Sequence, residues 1–134
     1  MHQIYQKNQI NLWLISTMLL LVSLIWIGGL TRLTGSGLSI TEWEVFSGIL
    51  PPINQNQWIE YFELYKKIPE YQKINYGMSL DEFKIIFWWE YIHRVLARIL
   101  VLAYIIPLIF FVFRSYIDKT KIFFFSSIFL LFLF

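Results

Sequence analysis

Residues 83–113 read FKIIFWWEYIHRVLARILVLAYIIPLIFFVF. As a helix this run is more than about 40 Å long at 1.5 Å per residue, enough to cross a bilayer and to protrude or tilt. Within it, the stretch WWEYIHRVLAR places Glu90, His93, Arg94 and Arg98 where a spanning helix begins. Ionisable groups in a bilayer are costly and usually functional, so these four residues carry the question of what the chain does.

Helical geometry sorts them. With Glu90 at zero and about 100° per residue, His93 falls near −60°, Arg94 near +40° and Arg98 near +80°. Trp88, Ile92, Val95, Ile99, Ala103 and Ile106 all fall between about 140° and 220°. The charges share one arc opposite an apolar, lipid-facing arc, so the polar arc looks into a protein interior or a polar cavity. Glu90 and Arg94 stand four apart in the favourable acid-first order. An ion pair that anchors the helix end, with the arginines snorkelling, explains part of the pattern. Arg98 lies about 16 Å beyond Phe87, where the helix is expected to enter the membrane, and needs an anionic partner. His93 is open to two readings: an interhelical hydrogen-bonder or an axial ligand to a metal or haem. Arginines on the same face favour haem, whose propionates suit guanidinium forks.

Composition agrees with a membrane setting. The 134 residues are 57% hydrophobic and only 15% charged, too apolar for an ordinary soluble domain. A net charge of +2 gives no basic patch for nucleic acid, and the lack of cysteine excludes disulfides and zinc-thiolate sites.

Three apolar segments organise the chain. We expect an N-terminal segment 1–11, a transmembrane helix 12–30, an outer loop 31–82 and a second transmembrane helix 83–113. An inner loop 114–120 and an incomplete third transmembrane helix 121–134 follow. The first run is too long for a signal h-region and lacks a small-residue cleavage pattern, so it reads as a retained helix. Lys7 before it, and Arg114, Lys119 and Lys121 after the second helix, put those flanks on the cytoplasmic or matrix side. The loop 31–82, with four Lys/Arg against seven acids, belongs outside.

That loop has its own pattern. Trp58, Phe62 and Tyr65 line one face of a short amphipathic helix that Pro69 is expected to end, lying on the membrane surface or over the mouth of the bundle. MSLDEF is a capping box, with Ser79 as N-cap and Glu82 three residues on, and Met78 and Phe83 form a hydrophobic staple. GGLTRLTGSGLSITEW, after the first helix, lacks the third glycine and preceding strand of a nucleotide-binding motif. It reads either as a flexible helix end or as a tight turn. In the turn, Gly35 and Gly37 permit close backbone approach, Thr31, Thr34 and Ser36 bond locally, and Arg32 sits at the outer surface.

GGLTRLTGSGLSITEW, SGILPP and NYGMSLDEFKIIFWWEYIHRVLARIL together resemble the haem A synthase family, of the alphaproteobacterial and mitochondrial type. The likeness covers about residues 20–113, and the absence of cysteine fits that type. The resemblance implies an all-α membrane protein of eight transmembrane helices in two four-helix halves, of which this chain is part of the first. It also implies oxidation of the haem O methyl group to the formyl group of haem A for cytochrome c oxidase. By resemblance, His93 is an axial ligand of the substrate haem iron and Glu90 the acid of the E-x-x-H motif implicated in the reaction. Arg94, Arg98 and Arg32 are candidates for propionate binding. Haem b belongs to the second half. The implied partners are haem, the lipid bilayer, haem O synthase, the C-terminal half and cytochrome c oxidase assembly factors. The implied location is a bacterial inner membrane or the mitochondrial inner membrane.

The family pairs the second-helix histidine with one on a fourth helix, which these residues do not include. The expectation is therefore an N-terminal portion, inactive alone: a fragment, a split-gene product or a relic. The competing readings are a non-catalytic membrane assembly or interaction module with a structural Glu90–Arg94 pair, and a bis-histidine electron carrier built from two copies.

Overall fold

The computed structural model describes residues 2–41 and 50–131, and every regular element among them is helical. These are α1 (His2–Leu33), α2 (Gln55–Tyr65), α3 (Pro69–Lys73), α4 (Leu80–Phe113) and α5 (Lys119–Leu131). The motif residues Glu42 and Trp43, residues 47–49 of SGILPP, and the last three residues of the third apolar segment lie outside the described residues.

Two helices are long and apolar enough to cross a membrane, over Ile4–Leu33 and Leu80–Phe113. Only 11% and 22% of their most apolar windows are buried within the protein, whereas the core helix of a soluble domain would be mostly covered. Large side chains such as Trp26, Ile99 and Ile106 stand exposed along them, as lipid-facing residues do. The chain is an all-α membrane protein. α5 is apolar but shorter.

The chain divides into two compact units. The loop unit, Leu24–Val95, contains the end of α1, the connecting loop, α2, α3 and the start of α4. α2 begins with a full capping box that the sequence reading missed. The Asn54 side chain accepts from the Gln57 amide, and Gln57 accepts in return from the Asn54 amide. Its face of Trp58, Phe62 and Tyr65 is buried against Phe83, Ile86 and Phe87 of α4. Phe83 stands 5.1 Å, ring to ring, from both Phe62 and Tyr65. The amphipathic helix therefore buries its apolar face on the start of α4. At Ser79 the expected capping box forms, with Glu82 Oε2 accepting from the Ser79 amide at 2.8 Å. The Glu82 amide donates to Ser79 Oγ at 3.3 Å. Met78 packs on the cluster that holds Phe83. Pro69 does not itself end α2, which closes at Tyr65 with Lys66 as C-cap; it opens α3, at a position where a missing N–H costs nothing.

The terminal unit, Met1–Ser23 with Leu96–Phe134, is built from the start of α1, the end of α4 and α5. Its core is Trp13, Tyr104, Leu108, Phe111 and Ile117. Trp13 Nε1 donates to the Ala103 carbonyl at 3.0 Å, which ties α1 to the backbone of α4.

Candidate functional site

The polar arc of α4 supplies one wall of a cleft of ≈ 390 Å³ inside the loop unit. Glu90, His93 and Arg94 line it from α4, and Gly28, Thr31 and Arg32 from α1. The Gly-rich turn adds Gly35, Gly37 and Leu38, and α3 adds Glu70. Four of the five residues singled out from sequence thus meet in one cavity. Arg98 is not among its lining residues. It belongs to the terminal unit, where its Nη1 is buried without a hydrogen-bond partner among the described residues.

Glu90 is buried, at 4% exposure, and both its oxygens are engaged. Oε2 accepts from Ser39 Oγ at 2.7 Å and from the Ile40 amide at 2.8 Å. Oε1 accepts from Nε of Arg94 at 3.0 Å and from its Nη2. The same Nη2 reaches the Ile40 carbonyl at 3.1 Å. The pair therefore grips both backbone polar groups of one residue on the turn, the Ile40 amide and the Ile40 carbonyl. A buried carboxylate needs such partners, because its desolvation is otherwise uncompensated. Arg94 Nη1 has no protein partner among the described residues, and Arg32, exposed at the cleft, makes no ion pair there.

His93 makes no hydrogen bond among the described residues. Its imidazole packs on α1 at Gly28, where a Cβ would lie 2.9 Å from Nε2. Glycine here makes room for the ring. Among the described residues the close approach foreseen at Gly35 and Gly37 is absent, since a Cβ at either would meet none of them within 4 Å. Gly35 instead answers a backbone demand, with φ at 62°. The local bonding of the turn is present: Thr31 Oγ1 donates to the Ile27 carbonyl at 2.8 Å, and the Thr34 and Ser36 hydroxyls meet at 2.6 Å.

Sequence reasoning missed Gly28, Ser39, Ile40 and Glu70. Glycine at a helix end and serine in a turn are too common to stand out, and the Ser39–Glu90 bond joins residues 51 apart.

The residues of the cleft suit a haem by their chemistry. The cleft falls within the ~300–1,000 Å³ of small-molecule sites. It offers an imidazole with no competing hydrogen bond among the described residues, and cationic nitrogens on Arg32 and Arg94 suited to carboxylates. Among the described residues no cluster of three or more His, Asp or Glu could hold a metal ion, and His93 is the imidazole in the cleft wall that could meet a haem iron.

Fold and site thus define a helical membrane protein with a histidine-bearing polar cleft beside the start of its second long helix. Residues 11–134 match the cytochrome oxidase assembly protein family COX15-CtaA, and the chain belongs to it. The chain is 61% identical over 111 residues to the heme A synthase of Pelagibacter ubique, covering 83% of this chain and 32% of that protein. It is 48% identical over 125 residues to that of Nitrosospira multiformis, covering 93% and 35%. With that of Bradyrhizobium diazoefficiens it shares 52% over 107 residues, covering 80% and 30%. The chain spans about a third of the length of these curated relatives. No solved structure matches.

Proposed function

We propose that the loop unit forms the substrate-haem side of a haem A synthase, which oxidises the methyl group of haem O to the formyl group of haem A. What supports this most is His93, free of hydrogen bonds among the described residues, in the wall of a cleft that also presents Arg32 and Arg94. The haem iron supplies the redox chemistry when haem O is bound. The chain's own residues bind and orient it. His93 would hold the haem iron, and Arg32 and Nη1 of Arg94 would hold the propionates. Arg98, whose Nη1 has no partner among the described residues, remains a further candidate. Glu90 stands one helical turn before His93. With both oxygens occupied it acts as a positioning residue. By the same reading, haem b and the second axial ligand come from parts of the protein beyond these residues. So do the surfaces for haem O synthase and cytochrome c oxidase assembly factors. The protein sits in a bacterial or mitochondrial inner membrane, with the N-terminus on the cytoplasmic or matrix side.

The test is the spectrum of the purified chain with added haem. A Soret band lost in His93→Ala is expected, and a band indifferent to that substitution defeats the proposal. One observation favours a second reading, a non-catalytic assembly module: the Glu90–Arg94 pair holds the backbone of Ile40 from both sides, as a structural clamp would. On that reading no haem binds at all.

A further inference from the structure

The terminal unit carries a second cavity, of ≈ 360 Å³, that the haem reading does not use. Its lining is divided by chemistry. Lys7 and Asn11 on α1 and Lys121 on α5 are exposed, whereas Ile10, Ile117 and Phe125 are half-buried or buried. Lys7 and Asn11 stand one turn apart, just ahead of the apolar run that begins at Leu12. Lys121 and Phe125 stand one turn apart at the head of the apolar α5. Two ammonium groups thus sit where polar sequence gives way to apolar on each of two helices, with greasy side chains directly alongside.

We propose that this cavity binds an anionic phospholipid, its phosphate between Lys7 and Lys121 and an acyl chain along Ile10 and Phe125. Basic pockets between membrane helices suit such head groups, because the lysines meet the phosphate at the depth where it lies. Lysine serves phosphate well as a mobile point charge. The acid facing this cation is Asp118, 3.7 Å from Lys121, with side chains 79% and 67% exposed. An ion pair so exposed is screened and readily exchanged for a phosphate.

The whole chain, in nanodiscs of phosphatidylglycerol or of phosphatidylcholine, tests this by native mass spectrometry of the lipid it retains. Phosphatidylglycerol should be retained over phosphatidylcholine. Lys7→Gln and Lys121→Gln should each weaken retention about fivefold, as expected for one cation at a charged surface. Lys67→Gln, an equal charge change in the loop unit, should leave it unchanged. Equal retention of the neutral lipid overturns the proposal, and so does an equal loss in Lys67→Gln. Displacement by millimolar inorganic phosphate would assign the lysines to a free anion and overturn the lipid assignment. None of these outcomes depends on haem binding.

Discussion

His93 of α4 rests its imidazole on Gly28 of α1, and the glycine hydrogen is the only substituent that fits beneath Nε2. A methyl group there would stand 2.9 Å from the nitrogen. The obstacle is the tip of a side chain, so the ring should move and the helices stay. Gly28→Ala is expected to leave the fold intact and shift the Soret maximum of the haem-loaded chain. Gly29→Ala meets nothing within 4 Å and serves as the control. It should leave the spectrum alone and raise helix stability by about 0.5–1 kcal/mol. Identical spectra for both variants and the parent would remove Gly28 from the site.

The Glu90 clamp makes a separable prediction. Glu90→Ala releases Ser39 and the Ile40 amide and leaves Arg94 without its counter-ion. Hydrogen bonds to charged groups are worth ~1.5–3 kcal/mol, and a loss of about that size is expected. Glu90→Gln keeps an acceptor for the turn and should lose less. Amide hydrogen exchange reads this directly: Ile40 should be protected in the parent, less so in Glu90→Gln and open in Glu90→Ala. Protection of Ile40 that survives Glu90→Ala would show that the turn is held by something else.

Much of this site was legible in the sequence because helical period is a local signal. The wheel of α4 put Glu90, His93 and Arg94 on one face, and that face is the cleft wall. It put Trp88, Ile92 and Ile99 opposite, and they are exposed. Trp58, Phe62 and Tyr65 were found by the same rule. What period cannot reach is which distant residue a face meets. Gly28 against His93 and Ser39 against Glu90 are settled by how α1 and its turn pack on α4. Gly35 and Gly37 look alike in sequence, yet only Gly35 takes a positive φ. Pro69 can stop one helix or start the next, and only the position of the Lys66 cap decides.

Tyr65 predicts how the loop unit responds to alkali. Burial raises the pKa of its phenol, and the hydrogen bond from Asn75 Nδ2, at 2.7 Å, opposes that shift. An unfolded tyrosine ionises near 10. Below that pH both states are neutral and the stability is fully present. As pH rises toward and through the higher folded value, the unfolded chain loses its proton first and stability falls. Denaturation monitored between about pH 9 and 11.5 should show this decline, and Tyr65→Phe should flatten it. An unchanged slope would assign the alkaline loss to other groups.

Two helix ends share one geometry but differ in residue, which gives a paired prediction. After α1, the Ser36 amide donates to the Thr31 carbonyl and the Gly35 amide to the Arg32 carbonyl. After α4, the Tyr116 amide donates to the Phe111 carbonyl and the Ser115 amide to the Val112 carbonyl. Both are Schellman motifs, with a left-handed residue just past the helix. That residue is Gly35 at φ 62° in the first and Ser115 at φ 54° in the second. Tyr116 stacks on Phe111 at 6.0 Å, the apolar contact that accompanies the motif. A side chain in this conformation costs about 1–2 kcal/mol, which glycine avoids. Gly35→Ala should therefore destabilise the loop unit by about 1 kcal/mol, and Ser115→Gly should stabilise the terminal unit by about the same amount. Gly37→Ala, with no positive φ and open space around it, should be close to neutral. Thermal unfolding of the three variants checks the set, and a Gly35→Ala variant as stable as Gly37→Ala would show that the turn relaxes to another conformation at no cost.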